Sequence, residues 1–186
     1  KLLRETMAQP HHIARRNNTG FTLLELLVAL ALMGMLAAWG LPSFQALGER
    51  SAVASEVNRL QTALTLARNT AITQRSDVTV CPYNGTKSDA CTSDWNGHIM
   101  VVVGDKTSGI GDSEVVRVFA PTSGVKVDKN GRSHMKYDSM GHVGPFFNSS
   151  YFICPMDEQT NVLGKRLRVS QLGRARVDED PISCGD

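Results

Sequence analysis

From Leu26 to Leu41 the chain carries no charged residue. Phe21–Leu24 extends the apolar character backward past a single carboxylate, Glu25. A helix needs about 20 residues to cross a hydrocarbon core, and Phe21–Leu41 supplies that length if Glu25 is tolerated. Arg15 and Arg16 stand just before the run. The positive-inside rule therefore leaves residues 1–20 in the cytoplasm and sends the rest across the membrane. Charge follows the same division. Lys1, Arg4, Arg15 and Arg16 against Glu5 make residues 1–20 locally +3, so the remainder carries −1 of the +2 total. A cleaved secretory signal would have a shorter apolar core followed by a small-residue site. Here the small residue, Gly20, precedes the run.

Glu25 is the anomaly. An acidic residue at the centre of a spanning helix costs about 2.5–3.5 kcal/mol on insertion scales. A plain membrane anchor has no use for it. A carboxylate in a low-dielectric seam is tolerable when it is paired, so Glu25 calls for a cationic partner.

Gly20-Phe21-Thr22-Leu23-Leu24-Glu25, followed by the apolar run and Pro42, resembles the class III signal of type IV pilins and type II secretion pseudopilins. The resemblance implies that a prepilin peptidase cleaves after Gly20 and methylates the new amino terminus at Phe21. It also implies that Glu25 pairs with the terminal amine of a neighbouring subunit during assembly. Met7 would start a short polar leader, Met7–Gly20, with the residues before it an upstream extension.

Beyond Pro42 the helical pattern resumes. Val53, Val57, Leu60, Leu64, Ala67 and Ala71 recur at spacings of four and three, one face of a helix. Glu49, Arg50, Glu56, Arg59 and Arg68 are expected on its other surfaces. Gly40 and Pro42 predict a kink or loosening rather than an end. One helix of roughly 80 Å is expected from Phe21 to about Arg75, with Trp39 near the outer interface.

After Asp77 the texture changes. "DVTVC", "HIMVVVG", "EVVRVF", "YFICP" and "KRLRVSQ" read as strands between Gly, Asn and Asp turns, and Asn130-Gly131 carries a hairpin signal. The expected class is α+β: a long N-terminal helix, its first half transmembrane, packed on an antiparallel β-sheet head. The segments are a leader 1–20, a transmembrane helix 21–41, its amphipathic continuation 42–75 and a periplasmic head 76–186. The head resembles the FimT/GspH group of minor pilins and pseudopilins.

Cys81, Cys91, Cys154 and Cys184 are an even set without a C-x-x-C pair. That favours disulfides in an oxidising compartment over zinc, because separations of 10, 63 and 30 residues match no common ligand pattern. Of the three pairings, Cys81–Cys91 with Cys154–Cys184 is preferred as nearest-neighbour.

The second informative stretch is "GKRLRVSQLGRARVDED". Lys165, Arg166, Arg168, Arg174 and Arg176 concentrate five positive charges. Strand alternation puts Arg166 with Arg168, and Arg174 with Arg176, on shared faces. Exposed guanidinium groups suit phosphates. A solvated edge strand gives the same composition, and Asp178, Glu179 and Asp180 could neutralise it. Gly173-Arg174-Ala175-Arg176 is similar to the G-R-x-R motif of FimT-type minor pilins implicated in DNA uptake during natural transformation. The resemblance makes Arg174 and Arg176 DNA-contact candidates, with Arg166, Arg168 and Lys165 beside them. Three or four arginines imply a log–log salt slope of about −3 and affinity no better than micromolar.

No nucleophile elbow, P-loop or zinc signature is present, so no enzyme, metal or cofactor is expected. His98, His134 and His142 read as surface or packing residues. Asp105, Asp112 and Asp128 read as turn formers. The resulting expectation is a minor pilin: single-pass in the bacterial inner membrane, then part of a cell-surface pilus, with other pilin subunits, prepilin peptidase and DNA as partners. The alternative is a GspH-like minor pseudopilin of a type II secretion system.

Overall fold

A computed structural model of the chain describes residues 21–85, 90–157 and 160–184. The leader 1–20, with Gly20 at its expected cleavage point, lies outside the described residues. The chain divides into two compact units between Leu41 and Pro42. Helix α1 spans Leu23–Gln74 and is unbroken at Gly40–Pro42, so the proline does not end it.

In the first unit α1 starts on a cap. The Glu25 backbone N–H donates to Thr22 Oγ1 at 3.2 Å. Thr22-Leu23-Leu24-Glu25 therefore carries the S/T-x-x-E spacing that satisfies orphan amides at a helix start. Glu25 also lies where the helix dipole favours an acid. The large apolar side chains along this stretch are exposed, from Phe21 (81 %) to Leu36 (74 %).

In the second unit α1 buries one stripe. Val53, Val57, Leu60, Leu64, Ala67 and Ala71 are all in the core, as their spacing predicts. The charges behave differently from expectation. Glu56 is 0 % exposed and Arg59 is nearly so, because the two pair with each other. Arg59 also donates to the carbonyls of Trp95, Gly97, Phe119 and Ala120. Their positions predict the helix's other surfaces, and the fold buries them there instead. The helix ends with Arg75 in the left-handed region (φ 51°) and Ser76 N–H bonded back to Ala71 C=O at 3.2 Å, a Schellman-type stop.

The head holds two antiparallel four-stranded sheets rather than one. The first contains β1 Val78–Tyr83, β2 His98–Val103, β3 Val115–Phe119 and β5 Met135–Tyr137, in the order β3-β2-β1-β5. The second contains β4 Val125–Lys129, β6 Ser149–Pro155, β7 Lys165–Val169 and β8 Ala175–Val177, in the order β4-β6-β7-β8. Strands β1 and β2 are buried on both faces, so they read as nearly continuous apolar runs. One face joins the α1 stripe and the second sheet in the main core. The other covers a satellite cluster of Cys81, Met100, Val102 and Ile110.

Asn130-Gly131 is not a hairpin. It carries the chain from β4 in the second sheet to β5 in the first, and Asn130 extends the β4–β6 register by bonding Ser150 through N–H and Oδ1. The local turn chemistry is genuine, with Gly131 at φ +80°, but the flanking strands find other partners. Cys81 bonds Cys91, and Cys154 bonds Cys184. At Gly164 a side chain would lie 2.5 Å from Cys184 Sγ and 2.6 Å from Ile153 O. Only glycine lets the C-terminal bridge pass there.

Candidate nucleic-acid interface

The basic C-terminal stretch folds as the β7–β8 hairpin, with Arg168 directly opposite Arg176 and Leu167 opposite Val177. Leu167 and Val169 enter the core while Arg168, Arg174 and Arg176 stay exposed. The turn between the strands is closed by Ser170 N–H to Arg174 C=O at 3.0 Å and Gly173 N–H to Ser170 C=O at 2.8 Å.

Gly173 is required twice over. Its φ is +73°, and a Cβ there would sit 2.0 Å from Gly141 C=O. Gly141 in turn presses on α1: a Cβ on it would meet Ile72 Cδ1 at 2.7 Å, and its carbonyl accepts from Arg68 Nε at 3.1 Å. The two glycines thus clamp the Gly-Arg-Ala-Arg turn onto the helix.

The cations of the strip are not equivalent. Asp178 takes a bidentate pair from Arg168, Nε to Oδ1 and Nη2 to Oδ2, both at 2.9 Å, and a further short bond from Arg166 Nε. Arg168 above all, then Arg166, holds the Asp178 carboxyl below its ordinary range, while Asp178 raises the Arg168 guanidinium. Two of the five candidate cations therefore share one carboxylate, which offsets one of their two charges and occupies donors on both. Lys165 is separated from the others: alternation turns it away from Arg166 and Arg168, into a hollow of about 440 Å³ with Arg50, Val53, Val57 and Leu163. Among the described residues no carboxylate pairs with Arg174 or Arg176.

Arg174 and Arg176 share a hollow of about 260 Å³ with Thr65, Arg68 and Asn69 of α1. Those helix residues lie some hundred positions earlier in the chain, and nothing in their spacing marks them. In the first unit Phe21 and Glu25 are both exposed. The histidines are scattered: His98 stacks edge-on to Tyr83, His134 lies on Phe147, and His142 is 4.0 Å from Asp138.

Two family models match. Residues 56–173 match the type II transport protein GspH, and residues 15–41 match the prokaryotic N-terminal methylation motif. The first spans more than half of the chain.

The chain belongs to the GspH family.

A relative, the type IV major fimbrial protein FimA of Dichelobacter nodosus, is 30 % identical over 97 residues, 50 % of this chain. The chain spans about half (52 %) of that curated relative's length. The fold resembles the type IV minor pilin FimU of Pseudomonas aeruginosa. Its crystal structure in space group P21 gives a TM-score of 0.55 at 19 % identity, over 70 % of this chain and 90 % of FimU. A second FimU crystal form gives 0.50 at 19 % identity, over 67 % and 91 %. A GspH-family chain with a methylation motif is a structural, non-enzymatic component of the pilin and pseudopilin class. The GspH match ends at Gly173 and does not cover Arg174 or Arg176.

Proposed function

We propose that this GspH-family chain is a minor pilin of a type IV pilus whose head binds DNA without sequence preference through Arg174 and Arg176, serving DNA uptake. In this reading prepilin peptidase cleaves after Gly20 and methylates Phe21. The helix then sits once across the inner membrane with the head in the periplasm, and Glu25 meets the terminal amine of a neighbouring subunit as the chain enters the fibre. The exposed apolar surface from Phe21 to Leu36 supports the membrane and assembly steps, because a contiguous face of that size needs lipid or other subunits to cover it.

The observation that carries the DNA reading is the pair of exposed arginines that no carboxylate among the described residues pairs with, held on a glycine-clamped turn. Guanidinium groups fixed in this way suit backbone phosphates, which supply affinity but no sequence information. With Arg166 and Arg168 occupied by Asp178, the expected salt slope drops from about −3 to about −2.

A second reading rests on the family description: a GspH-type minor pseudopilin of a type II secretion system. A deletion strain separates the two when transformation and secretion are assayed side by side. Complementation with Arg174→Ala/Arg176→Ala should leave transformation defective and secretion intact. Restored transformation with that variant would remove the DNA assignment, and a secretion defect in the deletion would favour the second reading.

A further inference from the structure

We propose that the hollow between α1 and the Gly173 turn seats a single phosphate group, with Thr65, Arg68 and Asn69 completing the site that Arg174 and Arg176 begin. This rests on the DNA reading and adds a helical half to it.

Three observations converge on that hollow. The first is charge: Arg68, Arg174 and Arg176 line it, and no carboxylate does. Arg174 and Arg176 also border a second hollow, where Arg168 already pairs with Asp178, so a phosphodiester brought to the first meets three cations that no salt bridge among the described residues occupies.

The second is unspent hydrogen-bonding capacity. Thr62 and Thr73 turn their hydroxyls back onto the helix, bonding the carbonyls of Asn58 at 2.7 Å and Asn69 at 2.9 Å. Thr65, between them on the same helix, makes no such bond, and the Asn69 side-chain amide has no partner among the described residues. Arg68 spends only Nε, on Gly141, and keeps both terminal nitrogens. A phosphate has acceptors for all of these donors.

The third is rigidity. Gly173 against Gly141, and Gly141 against Ile72 and Arg68, fix the turn to the helix. The donors from both elements are thus ordered before any ligand arrives, which lowers the entropy cost of binding.

The test introduces a carboxylate into the hollow. Every core residue lies between Ala52 and Val177, so the fragment 42–186 keeps the whole core. Thr65→Glu in this fragment should weaken binding of a fluorescent DNA duplex about tenfold, from a like charge placed a few ångströms from the phosphate. Ser55→Glu puts the same charge on an exposed position of the same helix, outside the hollow, and should change affinity less than twofold. Equal losses in the two variants would overturn the seat while leaving the DNA reading standing. If Arg174→Ala/Arg176→Ala binds as well as the parent, the DNA reading fails instead. Inorganic phosphate gives an independent readout: titrated into the parent, it should shift the NMR signals of the Asn69 amide and the Gly173 N–H, and the Thr65→Glu variant should abolish both shifts. Unmoved signals in the parent would refute the seat whatever DNA does.

Discussion

Glu56 and Arg59 are joined by two hydrogen bonds, Nη2 to Oε1 at 2.7 Å and Nε to Oε2 at 2.9 Å, at a place where Glu56 has no solvent exposure. The remaining arginine donors reach carbonyls at the entrance to β2 and just past the end of β3, so one side chain ties α1 to two loops of the first sheet. Arg59→Ala leaves a buried carboxylate alone and should cost about 3–5 kcal/mol. For a head of this size that is a fall of roughly 10–20 °C in Tm. Replacing both partners, Glu56→Leu/Arg59→Met, should recover most of the loss. Calorimetry of the three proteins checks the order.

Gly173→Ala meets both a left-handed backbone and the Gly141 carbonyl. The backbone conformation alone disfavours alanine by about 1–2 kcal/mol, and the close approach adds to it. The variant should lose at least 2 kcal/mol (roughly) by denaturant unfolding and should bind DNA more weakly than a surface substitution of equal stability effect. Parent-like stability would mean that the turn is not clamped as described.

Asp178→Asn should free Arg166 and Arg168 for phosphate. The expected outcome is tighter DNA binding and a salt slope that steepens from about −2 to about −3.5. Acid titration gives a second check. The Asp178 carboxyl is depressed in the folded state, so its stabilising contribution is present above the ordinary carboxylate range and disappears as pH falls through the lowered value. The Tm gap between parent and Asp178→Asn should therefore close on acidification from neutral pH.

The two disulfides should differ in their effect. The loops they close separate the cysteines by 10 and 30 positions. In the chain-entropy model this corresponds to about 2.7 kcal/mol for Cys81–Cys91 and about 3.6 kcal/mol for Cys154–Cys184. Cys154→Ser/Cys184→Ser should unfold at the lower denaturant concentration of the two pairs, as it also frees the bridge between Gly164 and Ile182.

The sequence made some of this architecture legible and concealed the rest for physical reasons. The Val53–Ala71 stripe was readable because burial on one helical face imposes its own period, and all six positions are in the core. The five strand-like runs coincide with β1, β2, β3, β6 and β7. Strands β5 and β8 are three residues each, too short for periodicity to register. In β4 the buried Val125 and Val127 alternate with the exposed Lys126 and Asp128, a signal weakened by the charges. Glu56 and Arg59 at i, i+3 look in sequence like any solvated helical pair. Only the carbonyls of Trp95, Gly97, Phe119 and Ala120, brought over by the fold, make burial tolerable. The candidate site divides in the same way. The Arg-rich hairpin is local and was visible, and Asp178 is one of the acids expected to offset it, whereas the place of Lys165 beside Arg50 and Val53 and the α1 half of the hollow depend on long-range packing.

DNA affinity of the fragment 42–186, measured across a salt series beside Arg174→Ala/Arg176→Ala, tests the central claim most directly. The account predicts micromolar binding by the parent with a log–log slope of at least about −2 in magnitude, becoming shallower by about 2 in the double variant with loss of most of the affinity. Equal affinity and equal slope for the two proteins would contradict it.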